Sequence, residues 1–323
     1  MYDDTDDDET VNSPVAGPSG IRYAPSVKKA NLSGMKPGLH PSTKPAAVPD
    51  SGASDTTGHG DEGATNSGAT RSCKDGNKVS RLCVARVMSD IKELFTDPPP
   101  GVHIAPVENN VANIHALVLG PADTPYDGGF FHFVVECPSE YPVKAPSVRI
   151  MNTDRGRVSF HPNLYACGRV CLSILGTFVG PGWTPAHSLR SLLLSIQSIL
   201  SDRPYFNEPG MYVERQPGDS ERYSRIVQHE TIRVAVCDAV EACLKGSSQC
   251  PPPLREVMLK SFPAHYDKYE KAVMANMRLT GRAMIDPFGN QRKVFEYDKL
   301  LRRLRELKEQ VEESLKSTDK GTE

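Results

Sequence analysis

Four short apolar runs separated by turn residues constrain the fold of this chain more than any other feature. The runs are His103–Val107, Ile114–Leu119, Phe130–Cys137 and Ser147–Met151. The turn signals between them include Gly120-Pro121, Gly128-Gly129 and Tyr141-Pro142. Strands joined by short turns pair with their neighbours in sequence, so the pattern predicts a four-stranded antiparallel meander.

Helical patterns flank the predicted sheet on both sides. Before it, apolar residues recur at helical spacing from Leu82 to Phe95 and stop at Pro98-Pro99-Pro100-Gly101. After it, helices are expected at about 186–201, 219–244 and 254–275, with a last one at about 295–315. One helix before a meander and several after it predict the α+β class.

Composition divides the chain. Residues 1–78 are rich in Gly, Ser, Thr, Pro, Asp and Ala and have no apolar period, which is typical of a disordered tail. A docking motif for a partner is the alternative use of this segment. The predicted organisation is a disordered tail at 1–78, an α+β core at 79–215, a helical extension at 216–316 and a second disordered tail at 317–323.

Charge and cysteine usage exclude several classes of protein. The formal net charge of -2 gives no reason to expect nucleic-acid binding. The acidic N-terminus has no basic region followed by an apolar run, so neither a secretion signal nor a transit peptide is expected. No apolar run is long enough for a membrane span. Eight cysteines without a secretion signal therefore indicate free thiols in a cytoplasmic and nuclear protein.

A thiol and a carboxamide lie close together in sequence beyond the fourth run. Asn163 ends the segment Phe160-His161-Pro162-Asn163, and Cys171 follows eight residues later. A thiol can carry an acyl group as a thioester, and an amide N–H can stabilise the oxyanion that forms when the thioester is attacked. The plain alternative is a small buried cysteine. No metal site is predicted, because His161, Cys167 and Cys171 lack the paired spacing of structural zinc ligands.

The order of these motifs resembles that of the ubiquitin-conjugating enzymes over residues 80 to about 210. The resemblance rests on Pro-Pro-Pro-Gly, the four strands, Tyr141-Pro142-x-x-x-Pro146, His-Pro-Asn, Cys-Leu and Trp183-x-Pro185. Further segments resemble the Z-type enzymes, which have a long N-terminal tail and a C-terminal helical extension. These segments are 120–131, 172–177, 207–210, 229–238 and 286–289.

The resemblance implies a role for each site residue. Cys171 would accept ubiquitin as a thioester and pass it to a substrate lysine or to a ligase cysteine. Asn163 would either stabilise the oxyanion or support the loop that carries Cys171, and His161 and Pro162 would shape that turn. Glu208 would orient the incoming lysine, its alternative being a solvated loop acid.

Two departures from the family pattern bear on the acceptor. Ser173 stands where many lysine-reactive members have an aspartate, which leaves lysine and cysteine acceptors both open. The loop from Cys171 to Trp183 is longer than usual by the stretch 177–182. This stretch lies near the thiol and would restrict which modifiers or substrates enter.

Partners are implied in the same way. Pro142, Val143 and Ala186 match the two loop tips that contact activating enzymes and ligases. Arg81, Arg86 and Lys92 on the polar side of the first helix would meet an acidic surface of the activating enzyme, the alternative being a solvated face. The implied partners are ubiquitin, the second and less common activating enzyme of animal cells, and ubiquitin ligases. A monomer with no stably bound cofactor is expected, with ATP consumed by the activating enzyme. The alternative function is an inactive ubiquitin-conjugating fold that serves as a binding module, and such a fold is expected to lack the cysteine.

Overall fold

The computed structural model describes residues 80–290 and 292–320. The predicted tail at 1–78 lies outside the described residues, so its disorder stays a prediction.

The predicted meander is confirmed. Helix α1 (Arg81–Thr96) starts where the Ser80 hydroxyl accepts a hydrogen bond from the backbone N–H of Cys83 and ends before Pro98. The strands are β1 (Val102–Val107), β2 (Asn110–Leu119), β3 (Phe130–Glu136) and β4 (Ser147–Ile150). They form one antiparallel sheet in the order β1-β2-β3-β4.

One face of the sheet carries the core of the N-terminal half. The alternation along β2 points Ile114, Ala116 and Val118 to this face, where all three are fully or almost fully buried. Helices α1 and α2 (Leu189–Ile199) cover them. The mixed sheet and helix layers confirm the α+β class.

Most of the chain after residue 218 is helical within the described ranges, with non-helical segments at 245–251, 280–290 and 292–296. It forms α3 (Asp219–Glu230), a π-helix (Thr231–Asp238), α4 (Ala239–Leu244), α5 (Pro252–Ala275) and α6 (Tyr297–Lys320). Short 3₁₀ turns lie at Ser173–Leu175, Pro204–Asn207 and Met277–Leu279. The predicted helix at 219–244 is thus interrupted by a wider π turn, and α6 continues past the predicted boundary at residue 316.

The helices of this extension cover the other face of the sheet. Ala105, Leu117 and Phe130 point to that face and are buried in one apolar cluster with residues of α5 and α6. The Tyr269 hydroxyl donates to the carbonyl of Gly128 (2.7 Å), which fixes α5 to the turn between β2 and β3. The sheet is therefore buried on both faces.

Among the described helices, none contains an apolar stretch of the length and hydropathy required to cross a membrane.

Candidate active site

A hairpin brings Cys171 back beside Asn163. Leu164 pairs antiparallel with Val170, and the backbone N–H of Tyr165 donates to the carbonyl of Arg169 (3.0 Å). Gly168 makes the reversal possible because its φ is +89° and because a Cβ there would lie 2.9 Å from the carbonyl oxygen of Ile150.

Asn163 and Cys171 hold each other through two hydrogen bonds. The backbone N–H of Cys171 donates to the carbonyl of Asn163 (2.9 Å), and the Asn163 side-chain amide donates to the carbonyl of Cys171 (2.8 Å). The asparagine is 8% exposed and the cysteine only 4%, so both residues are almost completely buried. In this structure the amide braces the loop that carries the thiol.

His161 fixes the turn before Asn163. Its Nδ1 accepts from the backbone N–H of Asn163 (2.9 Å), so the proton of the neutral ring is on Nε2. Nε2 lies 2.9 Å from the side-chain nitrogen of Asn207. Complete burial lowers the pKa of His161 to about 3, which keeps the ring neutral at physiological pH. Pro162 is half-buried in the same turn.

Thr177 brackets Cys171 from the other side and is a site residue that the sequence reasoning missed. Its hydroxyl donates to the carbonyl of Val170 (3.0 Å) and accepts from the backbone N–H of Leu172 (2.9 Å). These are the two peptide groups that flank the cysteine. A hydroxyl six residues past a candidate nucleophile gives no sequence signal, because its contacts depend on how the loop closes.

Tyr165 is a second missed residue. Burial raises the pKa of its hydroxyl, and the next largest cause is the thiol of Cys171, which the hydroxyl contacts. The carboxylate of Glu208 raises the pKa of Tyr165 further, so the same hydroxyl lies within electrostatic range of Glu208. The pKa of Tyr165 therefore responds to both Cys171 and Glu208. The position of Tyr165, two residues after Asn163 in the hairpin, was the sequence signal that could have identified it.

The longer loop folds back over the start of the 3₁₀ turn. A Cβ at Gly180 would lie 2.9 Å from the Cβ of Ser173, which shows how closely the loop returns. Ser173 is half-buried beneath it, whereas the side chains of Phe178 and Val179 are 42% and 91% exposed. The loop thus leaves an apolar tip in solvent close in sequence to the thiol.

The two predicted contact tips are neighbours. Val143 is 71% exposed, and the carbonyl of Pro142 accepts from the Trp183 indole N–H (2.7 Å). Arg86 donates to the carbonyls of Pro185 (3.1 Å) and His187 (2.6 Å), on either side of the exposed Ala186. Arg86 therefore holds the backbone of the second tip.

Within the described ranges, His, Cys, Asp and Glu side chains do not gather in groups of three or more that could hold a metal ion.

Comparison with known proteins identifies the family of this chain. The profile of the ubiquitin-conjugating enzyme family matches residues 86–230. The chain is 49% identical over 241 residues to "Ubiquitin-conjugating enzyme E2 Z" of Homo sapiens, covering 75% of this chain and 67% of that protein. It is 46% identical over 245 residues to the protein of that name from Danio rerio, covering 76% and 74%.

A shorter relative shows how much of the chain is shared with ubiquitin-conjugating enzymes that are not of the Z type. "Ubiquitin-conjugating enzyme E2 2" of Neurospora crassa is 43% identical over 124 residues, which are 38% of this chain and 76% of that protein. The likeness to the E2 Z proteins extends well beyond this shared part. An inactive binding module is not favoured by these relatives. The chain belongs to the ubiquitin-conjugating enzymes and, within that family, to the Z type.

Proposed function

We propose that Cys171 is the residue of this ubiquitin-conjugating enzyme that carries ubiquitin. Its thiolate attacks the thioester carbonyl delivered by the activating enzyme, a new C–S bond forms, and the activating enzyme's thiolate leaves. An amine or a thiol of the acceptor then attacks the carbonyl, the Cys171 thiolate leaves, and the acceptor gives up its proton. The observation that carries this proposal is the mutual hydrogen bonding of the buried residues Asn163 and Cys171.

We assign Asn163 to bracing the loop before the reaction. Its side-chain nitrogen has two N–H groups, and the Cys171 carbonyl accepts one of them. The second donor supports a role for the same amide in stabilising the oxyanion. Both roles expected from the resemblance thus suit one side chain.

Glu208 and Tyr165 are proposed to receive the acceptor. Glu208 is half-buried where the 3₁₀ turn Pro204–Asn207 ends, and both Glu208 and Cys171 raise the pKa of Tyr165. A carboxylate there favours the approach of a cationic lysine, whereas a thiol acceptor gains nothing from it. We therefore propose a lysine acceptor, with a ligase cysteine as the alternative that Ser173 leaves open.

The family implies interaction with ubiquitin, an activating enzyme and ligases in general. We further propose the second, less common activating enzyme as the donor, with Pro142, Val143 and Ala186 as the contact tips. The exposed Val143 and Ala186 support this surface. A cytoplasmic and nuclear monomer that binds no cofactor, with ATP used only by the activating enzyme, completes the proposal.

A charging assay tests these assignments. The protein is mixed with ubiquitin, ATP and each activating enzyme in turn and then run on non-reducing gels. We expect an adduct that reductant removes, that Cys171→Ala abolishes and that Cys167→Ala retains. An adduct that survives Cys171→Ala would overturn the assignment. Free lysine or free cysteine added to the charged protein then identifies the acceptor, and discharge by cysteine alone would contradict the proposed lysine acceptor.

A further inference from the structure

A short segment of the C-terminal extension reaches the active-site hairpin. This strap, residues 286–290 with Arg292, lies between the 3₁₀ turn Met277–Leu279 and α6. The carboxylate of Asp286 closes it by accepting from the Phe288 backbone N–H (2.8 Å), the Asn290 amide (3.2 Å) and the Arg292 Nε (2.8 Å). The side chains of Asp286 and Arg292 are 0% and 5% exposed, so this ion pair is buried.

Phe288 carries the first of two links from the strap to the site. Its ring stacks on Tyr205 with centroids 5.2 Å apart and meets Tyr223 edge-on at 4.9 Å. Tyr205 belongs to the 3₁₀ turn whose last residue is Asn207, and Glu208 follows directly. Asn207 contacts His161, so the stack of Phe288 on Tyr205 supports the turn that positions both Asn207 and Glu208.

Arg292 carries the second link. Its Nη2 donates to the backbone carbonyl of Ser159 (3.2 Å), while its Nε remains on Asp286. The Ser159 hydroxyl lies 2.8 Å from the carbonyl of Leu164 and 3.3 Å from that of His161. Arg292 is thus one residue away from the turn that places Asn163.

The two links converge on the same turn from opposite ends. Arg292 reaches it through Ser159, and Phe288 reaches it through Tyr205 and Asn207. The hydroxyl of Tyr223 reports the same convergence, because burial raises its pKa and Arg292, Asp286 and Glu208 all act on it. The strap and Glu208 therefore have Tyr223 as a common neighbour.

We propose that Arg292 and Phe288 are positioning residues for the transfer reaction, so that the extension holds the His161–Asn163 turn and Glu208 in place around the thiol. This inference rests on the proposed role of Cys171. A displacement of about 1 Å in a reacting geometry can cost about a hundredfold in rate, even when the altered residue lies away from the chemistry.

The test measures how fast free lysine, or whichever acceptor the wild type uses, discharges the charged protein. The wild type and the variants are compared over a range of acceptor concentrations. Arg292→Lys keeps the charge beside Asp286, but an ammonium does not reproduce the forked pairing with Asp286 and Ser159. We expect its discharge rate constant at saturating acceptor to fall at least about tenfold. The half-saturating acceptor concentration should stay unchanged. Phe288→Leu, which loses the stack on Tyr205, should show the same fall in the rate constant and the same unchanged half-saturating concentration.

Arg303→Lys is the matched control. Arg303 lies in the extension and has the same kind of forked pairing, to Asp238 (2.7 Å) and Glu241 (2.8 Å). Its substitution should leave the discharge rate unchanged while lowering the melting temperature by a comparable amount. Equal slowing in Arg303→Lys and Arg292→Lys, or a wild-type rate in Arg292→Lys, would overturn the proposal.

Ser159→Ala gives a second measurement that does not alter the strap. It keeps the carbonyl that Arg292 bonds but removes the hydroxyl by which Ser159 contacts the turn, so the double variant with Arg292→Lys should be no slower than the slower single variant. Independent, multiplicative losses would contradict the link. Failure of this proposal can be distinguished from failure of the proposed function. If the wild type forms no reducible adduct, the assignment of Cys171 fails. If the variants charge and discharge normally, only the proposed role of the strap fails.

Discussion

At the scale of single residues, the candidate site is organised by peptide groups more than by charged side chains. Asn163 and Thr177 hold the backbone on either side of Cys171, and neutral His161 holds the backbone of Asn163. Such contacts fix where the thiol lies without adding charge beside it. Changes that keep volume but remove a hydroxyl or a ring nitrogen are therefore the informative ones.

Thr177→Val is expected to slow charging of Cys171 about tenfold. Valine has nearly the same shape but leaves the Val170 carbonyl and the Leu172 N–H without their shared partner, so the cysteine loses its fixed position. Thr177→Ser keeps the hydroxyl and should charge nearly as the wild type does. Single-turnover charging on non-reducing gels measures both, and equal rates for the valine and serine variants would contradict the bracket.

Stability should fall between pH 7 and pH 5. Burial lowers the pKa of His161 to about 3, and burial together with His115 lowers that of His132 to about 4. The unfolded chain takes up these protons near pH 6.5 while the folded chain does not, so the free energy of unfolding decreases as pH falls. Each histidine contributes a loss of about 2 kcal/mol at pH 5.

Urea unfolding at the two pH values measures this loss. His132→Gln should reduce it by about 2 kcal/mol, because one of the two groups no longer takes up a proton on unfolding. A total decrease of less than about 1 kcal/mol in the wild type would be inconsistent with neutral buried histidines.

At the scale of elements, the extension meets the sheet through the turn that ends in Gly128-Gly129. Besides bonding the Gly128 carbonyl, the Tyr269 hydroxyl lies only 2.6 Å from where a Cβ on Gly128 would stand. A Cβ on Gly129 would lie 2.6 Å from the Thr231 methyl group, at the start of the π-helix. Because neither glycine has a side chain, the extension can pack closely against this turn.

Gly128→Ala should loosen α5 from the sheet. Its φ is +68°, and Gly246 has φ +67° with nothing within 4 Å of its absent Cβ, so Gly246→Ala carries the same backbone strain without the clash. We expect about 1 kcal/mol of destabilisation for Gly246→Ala and about 1–3 kcal/mol more for Gly128→Ala. Denaturant unfolding measures the difference, and faster amide exchange in α5 should accompany it. Equal losses in both variants would refute the close contact.

Local patterns predicted most of the elements but not how they dock. The strands and α1 follow from alternation, spacing and proline stops, and β2 begins at Asn110 rather than Ile114 because its polar start gives no apolar signal. The hairpin and the pairing of Asn163 with Cys171 were reachable from sequence through the family motifs. Phe288 and Arg292 were not, because their partners are set by tertiary contacts between segments distant in sequence. Thr177 was not either, because its contacts with nearby residues depend on how the loop closes.

At the scale of the whole molecule, the extension and the sheet share one apolar cluster. Ala105, Leu117 and Phe130 of the sheet are buried only because α5 and α6 contribute Phe262, Tyr269, Leu300 and their neighbours. The ion pair of Arg233 with Asp154 (2.9 Å) crosses the same junction. The two parts therefore depend on each other for burial.

Calorimetry should show one cooperative unfolding transition for residues 80–320. The shared cluster makes separate unfolding expose apolar surface on both parts, at about 25 cal/mol for each Å². Two resolved transitions would contradict this coupling. A chain truncated after residue 215 should aggregate, and replacing Leu117 and Phe130 with polar residues should restore its solubility.

The contact between Trp183 and the Pro142 tip has a practical consequence. Trp183 is the single tryptophan of the chain, is half-buried, and its ring lies against Tyr141 and His187 at 5.7 Å and 5.4 Å. Its indole N–H is bonded at one tip while its ring touches the residue that follows Ala186 at the other. Its intrinsic fluorescence is thus a label already built into the proposed docking surface, and titration with an activating enzyme or ligase fragment lacking tryptophan gives binding isotherms without attaching a dye.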